Sequence, residues 1–305
     1  TGTNSRWKLY PLCTRTGRTL SFGERDENAS TTNYGDCILI NTGSELVIYD
    51  CGHETHADAV IDYMSKNGFD RAKLILSHND SDHFDGILKL LKEDKISVIR
   101  TTLLLKYKDT ILEKIDDKRK TRDSVSQQIL DLYDNIAQLS GAPLEDIYEH
   151  PEDLCDEVSI IGPDFDYMIE TVAKRLDGRE GDTMDGETAV NATSIQTKVQ
   201  IGTHSLLLCG DCSFPAIENI VRDYDAVQLP HHGKCKQAEK IFDKKSDQTY
   251  SVYIVSDNTG NTNGGSDNLI TTGHRVYNTK TTGNITINSS TFSSSAVKTG
   301  RVLGI

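Results

Sequence analysis

With 305 residues, the chain can bury a substantial core and is expected to form one large α/β domain, or one domain with an insertion, rather than two full domains. Its 33 Lys and Arg against 46 Asp and Glu give a net charge of −13, which argues against a general nucleic-acid-binding surface because phosphate binding requires clustered cations. The seven cysteines are scattered, the N-terminus shows no basic and apolar leader, and no apolar run approaches about 18 residues, so we expect a cytoplasmic protein without disulfides or membrane spans.

The first third of the sequence predicts a β-α-β unit followed by a loop and a further helix. Two strands are expected at residues 36–40 and 45–50, because apolar runs flank Asn-Thr-Gly-Ser, which is a hairpin turn sequence. A helix is expected over 54–67, where apolar residues recur at helical spacing before an Asn-Gly pair. A strand at 73–77 runs into His-Asn-Asp-Ser-Asp-His, and a helix follows over 86–95. This order is typical of an α/β layer.

Residues 101–190 change to charged, helical sequence and are expected to form a helical insertion or cap within the single domain 1–305. An amphipathic stripe over 125–137 predicts the main helix of the insertion. A short strand and a second helix are expected between 158 and 175. The basic cluster at 114–122 is the one plausible contact for a polyanion, and the alternative is an ordinary solvated helix face.

Strand patterns resume in the last third, and two of the strands end in residues that can bind metals. Two strands between 194 and 209 lead to Asp211, and a strand at 226–229 leads to Pro-His-His-Gly. A further strand is expected at 250–256, and a hairpin is expected around 276–287.

Three strand ends therefore carry imidazoles or carboxylates, and in an open α/β sheet such loops share one edge, where ligands bind. A tight loop can converge ligands spaced one or two residues apart, which a single helix face cannot do. The mixed donor set suits one or two divalent ions, and because carboxylates form about half of it, manganese competes with zinc. The candidate ligands are His78, Asp80, Asp82, His83, Asp211 and His231 or His232.

The chain resembles the metallo-β-lactamase superfamily, whose signature loop has the form His-x-(His or Asp)-x-Asp-His, here residues 78–83. The Asp at the third position, the apolar strand ending in Gly-Asp and the Pro-His-His-Gly sequence are most similar to the hydrolase domain of the competence protein ComEC. The similarity runs from about residue 33 to residue 287, apart from the insertion. It implies an α/β fold, a four-layer αββα sandwich, with two metal ions at the edge between its sheets.

The resemblance also implies roles for individual positions that match the superfamily pattern. Most of these residues would be metal ligands, one would contact the substrate, and two would support the ligands from behind. The implied roles are His78 and Asp80 in one metal site, Asp82 and His83 in the other, Asp211 as a bridge, His231 as the preferred further ligand, His232 as a catalytic substrate contact, Asp82 also as the catalytic group that orients the attacking water, and Asp50 and Asn191 as supporting residues.

Two features depart from the superfamily pattern. Many members supply another imidazole between the signature loop and the Gly-Asp, where this chain offers only His150 and His204, so weaker binding of the first metal is expected. ComEC-like chains also carry His-Pro in the loop after the strand at 250–256, whereas residues 257–266 contain neither. His274 is the nearest substitute.

Three functional hypotheses follow. The leading one is a metal-dependent phosphodiesterase or nuclease, in which two ions activate water and offset charge on the phosphoryl oxygens. An acidic nuclease would need residues 114–122 or a basic partner protein to hold nucleic acid. The second is a hydrolase of a small phosphoester or nucleotide, which fits the acidic surface better. The third is a noncatalytic subunit that uses the fold and the insertion for docking.

Overall fold

The computed structural model describes residues 8–11, 35–178, 183–257, 265–282 and 284–293. Cys13, the start of the family similarity at residues 33–34 and most of the loop at 257–266 lie outside these residues. The strands are β1 (Lys8–Pro11), β2 (Ile38–Asn41), β3 (Leu46–Tyr49), β4 (Ala72–Ile75), β5 (Ile96–Thr101), β6 (Leu144–Asp146), β7 (Val158–Gly162), β8 (Thr183–Met184), β9 (Glu187–Thr188), β10 (Gln196–Ile201), β11 (His204–Leu208), β12 (Ala226–Gln228), β13 (Val252–Val255) and β14 (Arg275–Asn278).

Two six-stranded mixed sheets form the centre of the fold, and they are arranged alike. The first has the order β1-β2-β3-β4-β5-β6, and the second has the order β14-β13-β12-β11-β10-β7. In each sheet, two antiparallel pairings at one side give way to three parallel pairings. Strands β8 and β9 form a separate small hairpin.

Helices connect the parallel strands and cover the outer faces of both sheets. Helix α1 is typical in its ends, since the His53 side chain caps its first turn and Gly68 ends it with φ of +76°. The helices are α1 (Glu54–Asn67), α2 (Ser81–Phe84), α3 (Ile87–Lys92), α4 (Lys108–Lys114), α5 (Arg122–Leu132), α6 (Asp134–Gln138), α7 (Phe165–Asp177), α8 (Ala189–Ala192), α9 (Phe214–Ile217), α10 (Pro230–Gly233), α11 (Cys235–Lys244), α12 (Thr279–Thr282) and α13 (Ser289–Ser293), with 3₁₀ turns at Leu104–Tyr107 and Val221–Asp223.

The alternation of side chains along each strand builds the layers. In β2, Ile38 and Ile40 pack into the core between the two sheets, whereas Leu39 packs on the opposite face against α1 and α3. The outer face of the second sheet packs against α9 and α11 in the same way, as Val227 does. The result is an α/β fold of four layers, helix, sheet, sheet and helix, as the sequence predicted.

The region 101–190 contains more than helices. Helices α4, α5 and α7 share an apolar cluster, but β6 and β7 within this range form the outer strands of the two sheets. The division into a domain and an insertion therefore stays a prediction. The hairpin expected around 276–287 was wrong, because β14 pairs in parallel with β13 and is followed by α12. Across the described ranges, none of the helices combines the length and the hydrophobicity needed to cross a bilayer.

Candidate metal centre

Three strand ends supply the candidate ligands, and the fold brings them to one edge. Residues 78–83 follow β4 of the first sheet, whereas Asp211 follows β11 and the two adjacent histidines follow β12 of the second sheet. The chain turns sharply after both later strands, with φ of +53° at Gly210, +52° at His231 and +55° at His232. Residues with side chains seldom adopt such angles, and strain of this kind concentrates at functional sites.

Main-chain contacts fix the signature loop, residues 78–83, before any ligand binds. The amide of Asp36 donates to the carbonyl oxygen of Asp82 at 2.9 Å, and the amide of Cys51 donates to the carbonyl oxygen of His83 at 3.0 Å. Gly52 makes this approach possible, because a Cβ atom there would lie 1.7 Å from the Asp82 carbonyl oxygen. The loop is therefore packed against the segments that flank β2 and β3.

Asp50 and Ser77 set the orientation of two imidazoles. Asp50 Oδ2 lies 2.8 Å from His83 Nδ1 and accepts the Ser77 hydroxyl proton at 2.6 Å, while Oδ1 accepts from the Ser77 amide at 2.7 Å. Because Ser77 donates its one hydroxyl proton to Asp50, its oxygen accepts from His78 Nδ1, 2.9 Å away. The Nε2 atoms of His78 and His83 are thus left to face the site. Metal-binding histidines are typically held in this way.

Asp211 lies at the centre of the candidate ligands and is buried. Its Oδ1 is 3.3 Å from Nε2 of His83, and its Oδ2 is 3.9 Å from Nε2 of His78. The same Oδ2 lies 3.9 Å from Nε2 of His231 and 3.8 Å from Nε2 of His232. A carboxylate with imidazoles on both sides can contact two cations at once.

The two adjacent histidines point in different directions. Nε2 of His232 lies 2.9 Å from Asp82 Oδ2, and its Nδ1 donates to the carbonyl oxygen of Ser256 at 3.0 Å. His231 instead places Nδ1 2.5 Å from Oε2 of the buried Glu187, and its side chain is 15% exposed. His232 is therefore the histidine that contacts the signature loop, and His231 is the more exposed of the two.

The carboxylates and imidazoles of the site favour each other's charged forms. Burial raises the pKa of Asp82, but His83 and His232 outweigh it and lower that pKa to about 2. Burial likewise opposes the charge of Asp211, yet the surrounding imidazoles hold its pKa well below the ordinary value. Burial lowers the pKa values of His83 and His232, but Asp211 and the neighbouring carboxylates raise both well above the usual range. Carboxylates held this strongly in the anionic form favour a divalent cation, whose binding releases protons from the imidazoles.

The residues fit divalent metal ions. Nε2 of His78, Nε2 of His83 and Oδ1 of Asp211 are buried atoms without a hydrogen-bond partner among the described residues. Such atoms cost free energy unless a further group satisfies them. Three overlapping sets of candidate ligand atoms lie within 4.8 Å of one another, namely His78, His83 and Asp211; Asp82, His83 and His232; and Asp36, Asp211 and His232.

Some predicted residues stand at the margin of these sets. Asp80 Oδ2 lies 3.7 Å from His78 Nε2, but the Asp80 side chain is 44% exposed. Asn191 is buried, and its side-chain oxygen accepts from the Thr188 hydroxyl at 2.7 Å. It reaches the site indirectly, because its carbonyl oxygen accepts from the Ser194 hydroxyl, whose oxygen accepts from the Asp211 amide.

The other histidines and the basic cluster have different surroundings. His150 pairs with Glu152, His204 stacks on Phe292, and His274 stacks on Phe242. Three of the five cations in the basic cluster at 114–122 pair with carboxylates, in the pairs Lys114–Glu170, Arg119–Asp117 and Arg122–Asp109.

Three residues of the site were missed at the sequence level. Asp36 precedes β2, Ser77 precedes the signature loop, and Glu187 lies in the acidic stretch before α8. Ser77 had a signal, since it is the last residue before the candidate ligands at 78–83. Asp36 lies near His232 and Glu187 lies near His231, but each pair is far apart in the sequence. No local sequence pattern therefore marks either carboxylate.

The chain matches known proteins at the level of family and fold. The family model described as the metallo-beta-lactamase superfamily matches residues 30–256. None of the curated proteins matches the chain. Similar solved structures include the metallo-beta-lactamase fold protein YhfI from Bacillus subtilis, with 11% identity over 90% of this chain and 96% of that chain and a TM-score of 0.48. Tm1679, a metal-dependent hydrolase of the beta-lactamase superfamily, is 14% identical over 89% of this chain and 95% of that chain, with a TM-score of 0.49. A diphosphatase from the PhnP family is 12% identical over 81% of this chain and 85% of that chain, with a TM-score of 0.41.

Proposed function

Since this chain belongs to the metallo-β-lactamase superfamily, we propose that it is a metal-dependent hydrolase of phosphodiester bonds with a pair of zinc or manganese ions. We further propose the ComEC type within the superfamily, which the Gly-Asp at 210–211 and the Pro-His-His-Gly at 230–233 support. The observation that carries the proposal is the convergence of imidazoles with three carboxylates, those of Asp80, Asp82 and Asp211, at one sheet edge.

The carboxylates favour phosphoryl chemistry on electrostatic grounds. The three carboxylates offset only part of the charge of two divalent ions, so the loaded site would stay positive and suit a substrate whose transferring group spreads negative charge over several oxygens. When bound, the ions would activate water and offset that charge. On the geometry above, His78, Asp80 and Asp211 would hold one ion, and Asp82, His83, His232 and Asp211 would hold the other.

The assignment of His232 as ligand reverses the preference drawn from the sequence. Two observations support the new assignment: His232 is buried, and its Nε2 lies 2.9 Å from Asp82 Oδ2. His231 would then contact the substrate, because its side chain is partly exposed and Glu187 holds its Nδ1. Lys234 and Gln237 also donate to Glu187, at 2.9 and 3.1 Å, so the position of that carboxylate is well determined.

Two variants separate these roles. We expect His232→Gln, which removes a proposed ligand, to lower the affinity for one of two metal ions by more than the about 10- to 100-fold that is typical when a residue behind a ligand is replaced. We expect His231→Gln to keep the metal content while lowering kcat/KM. Metal content is measured by elemental analysis after dialysis, and turnover is measured with bis(p-nitrophenyl) phosphate. The opposite pattern, with metal lost from His231→Gln alone, would restore the assignment drawn from the sequence.

The substrate class rests on the charge of the surface. Nucleic acid is the first candidate, but the ion pairs in the basic cluster at 114–122 favour the second candidate, a small phosphoester or nucleotide. A protein that contacts several phosphates binds DNA with a steep salt dependence. A salt titration of binding to single-stranded and duplex DNA and RNA therefore distinguishes the two.

A metal-reconstitution assay tests the proposed reaction. Protein stripped by a chelator and reloaded with Zn²⁺ or Mn²⁺ is offered bis(p-nitrophenyl) phosphate, oligonucleotides, a β-lactam and a thioester. We expect hydrolysis of phosphodiesters, lowered at least about 100-fold by Asp211→Asn and unchanged by Asp62→Asn, which alters an exposed carboxylate. Turnover of the β-lactam or the thioester alone, or phosphodiester turnover that survives Asp211→Asn, would refute the proposal.

A further inference from the structure

Asp36 carries a buried carboxylate that the proposed chemistry does not yet use. Its side chain is fully buried, and neither Oδ1 nor Oδ2 has a hydrogen-bond partner among the described residues. A buried carboxylate without a hydrogen bond costs several kcal/mol in general, so a protein keeps one only where something offsets the cost. Nδ1 of His232 lies 3.4 Å from Oδ1, and an oxygen of Asp211 lies within 4.8 Å of the same carboxylate.

The backbone fixes this carboxylate beside the signature loop. The Asp36 amide donates to the Asp82 carbonyl oxygen at 2.9 Å, and the Asp36 carbonyl oxygen accepts from the Gly52 amide at 3.0 Å. The preceding residue, Gly35, has φ of +121°, and a Cβ there would lie 2.2 Å from the Asp82 carbonyl oxygen. The position of the Asp36 side chain is therefore set by the same contacts that set the ligands.

Carboxylates stand behind the neighbouring imidazoles in the same way. Asp50 Oδ2 lies 2.8 Å from Nδ1 of His83, and Glu187 Oε2 lies 2.5 Å from Nδ1 of His231. His232 already donates Nδ1 to the Ser256 carbonyl oxygen, and Asp36 lies on the same side of the ring. A negative charge behind a metal-binding imidazole fixes its orientation and strengthens it as a donor.

We propose that Asp36 is a positioning residue, whose carboxylate acts on Nδ1 of His232 and so strengthens the binding of a divalent cation at Nε2. The inference rests on the proposed assignment of His232 as a metal ligand. It also explains why the chain keeps a buried charge without a hydrogen bond, because the cation on the far side of the ring offsets it.

Asp36→Asn tests the proposal, because it removes the charge and keeps the shape and an acceptor oxygen. The probes are Co²⁺, followed by its visible absorption, and Zn²⁺, followed by competition with a chromophoric chelator. We expect one of the two sites to lose about 10- to 100-fold in affinity, with a changed Co²⁺ spectrum. We expect the metal-free variant to be no more stable than the wild type, because the Asp36 carboxylate lies 3.4 Å from the His232 ring, so stability is measured in chelator separately from affinity. Asp62→Asn is the surface control.

The outcomes are distinguishable. Wild-type protein that binds no cation would overturn the proposed function and this inference with it. Wild-type protein that binds two cations, with Asp36→Asn equal in affinity and spectrum, would overturn this inference alone. A fall in the stability of the metal-free protein, together with an equal loss of affinity at both metal sites, would also overturn this inference, because Asp36 would then act only in folding. Asp36→Ser gives the same comparison if Asp36→Asn does not fold.

Discussion

Asp50 is a residue whose replacement should disturb the candidate site without removing a candidate metal ligand. Its carboxylate accepts three buried hydrogen bonds, from the Ser77 amide, the Ser77 hydroxyl and His83 Nδ1, at 2.7, 2.6 and 2.8 Å. Its φ is +58°, a value that Asn tolerates and Ala does not. Asp50→Asn is therefore the informative change, because it removes the charge without adding backbone strain.

The expected size of the effect follows from these contacts. The Asn side chain keeps one acceptor oxygen and places an amide beside a donor, so at least one of three buried donors loses its partner. An unpaired buried donor costs about 1–3 kcal/mol, so we expect the metal-free protein to lose about 2 kcal/mol of unfolding free energy. Loss of the charge behind His83 should also lower metal affinity by about 10- to 100-fold, or about 1.4–2.7 kcal/mol.

Asp94→Asn is the matched control. Asp94 also has a left-handed φ, of +53°, but it is exposed and pairs with Arg71 at the surface, so we expect a change below about 0.5 kcal/mol. Urea unfolding in chelator measures stability, and competition with a chromophoric chelator measures Zn²⁺ affinity. If the two variants match in both measurements, Asp50 does not position His83 and the reasoning fails.

Three further predictions follow from other contacts. Tyr49 donates to the Ile195 carbonyl oxygen at 2.6 Å between the sheets, so Tyr49→Phe should cost about 1–2 kcal/mol in urea unfolding, whereas Tyr250→Phe, at a side chain that is 81% exposed, should cost nothing measurable. Burial lowers the pKa of His56 to about 4, below its unfolded value near 6.5, so acidification from pH 6.5 to 4 favours the unfolded chain. His56→Leu should therefore flatten the pH dependence of unfolding by about 3 kcal/mol over that window, and an unchanged slope would contradict the stated burial. Gly52→Ala should abolish metal binding in the same titration, because its Cβ would displace the signature loop, and wild-type affinity would show that the loop is not packed as described.

Local sequence signals predicted several elements around the candidate ligands. Apolar runs and helical spacing gave β3, α1 and β4 to within a few residues, and the His and Asp residues at the strand ends are visible without a structure. What they could not predict were contacts between segments far apart in the chain. Nothing in Pro-His-His-Gly shows that His232 turns toward Asp82, since that depends on two consecutive left-handed residues.

The prediction of a hairpin around 276–287 was wrong for a similar reason. Alternation around Val276 fits an edge strand in either direction, and only the parallel pairing of β14 with β13 decides between them. The missing partners, Asp36 and Glu187, are ordinary acidic residues by every local criterion. Their importance comes from the distances of 3.4 and 2.5 Å at which the fold brings them to imidazoles.

The repeated arrangement of the two sheets has a mechanical consequence. Residues 78–83 follow a strand of the first sheet, whereas Asp211 and His232 follow strands of the second, and these segments converge from opposite halves of the polypeptide. A cation bound by residues of both segments would cross-link the two sheets, because the sheets could not separate without loss of metal ligands. Metal binding would therefore add to the apolar core that joins the two sheets, and loss of the ion would shorten the lifetime of the folded protein.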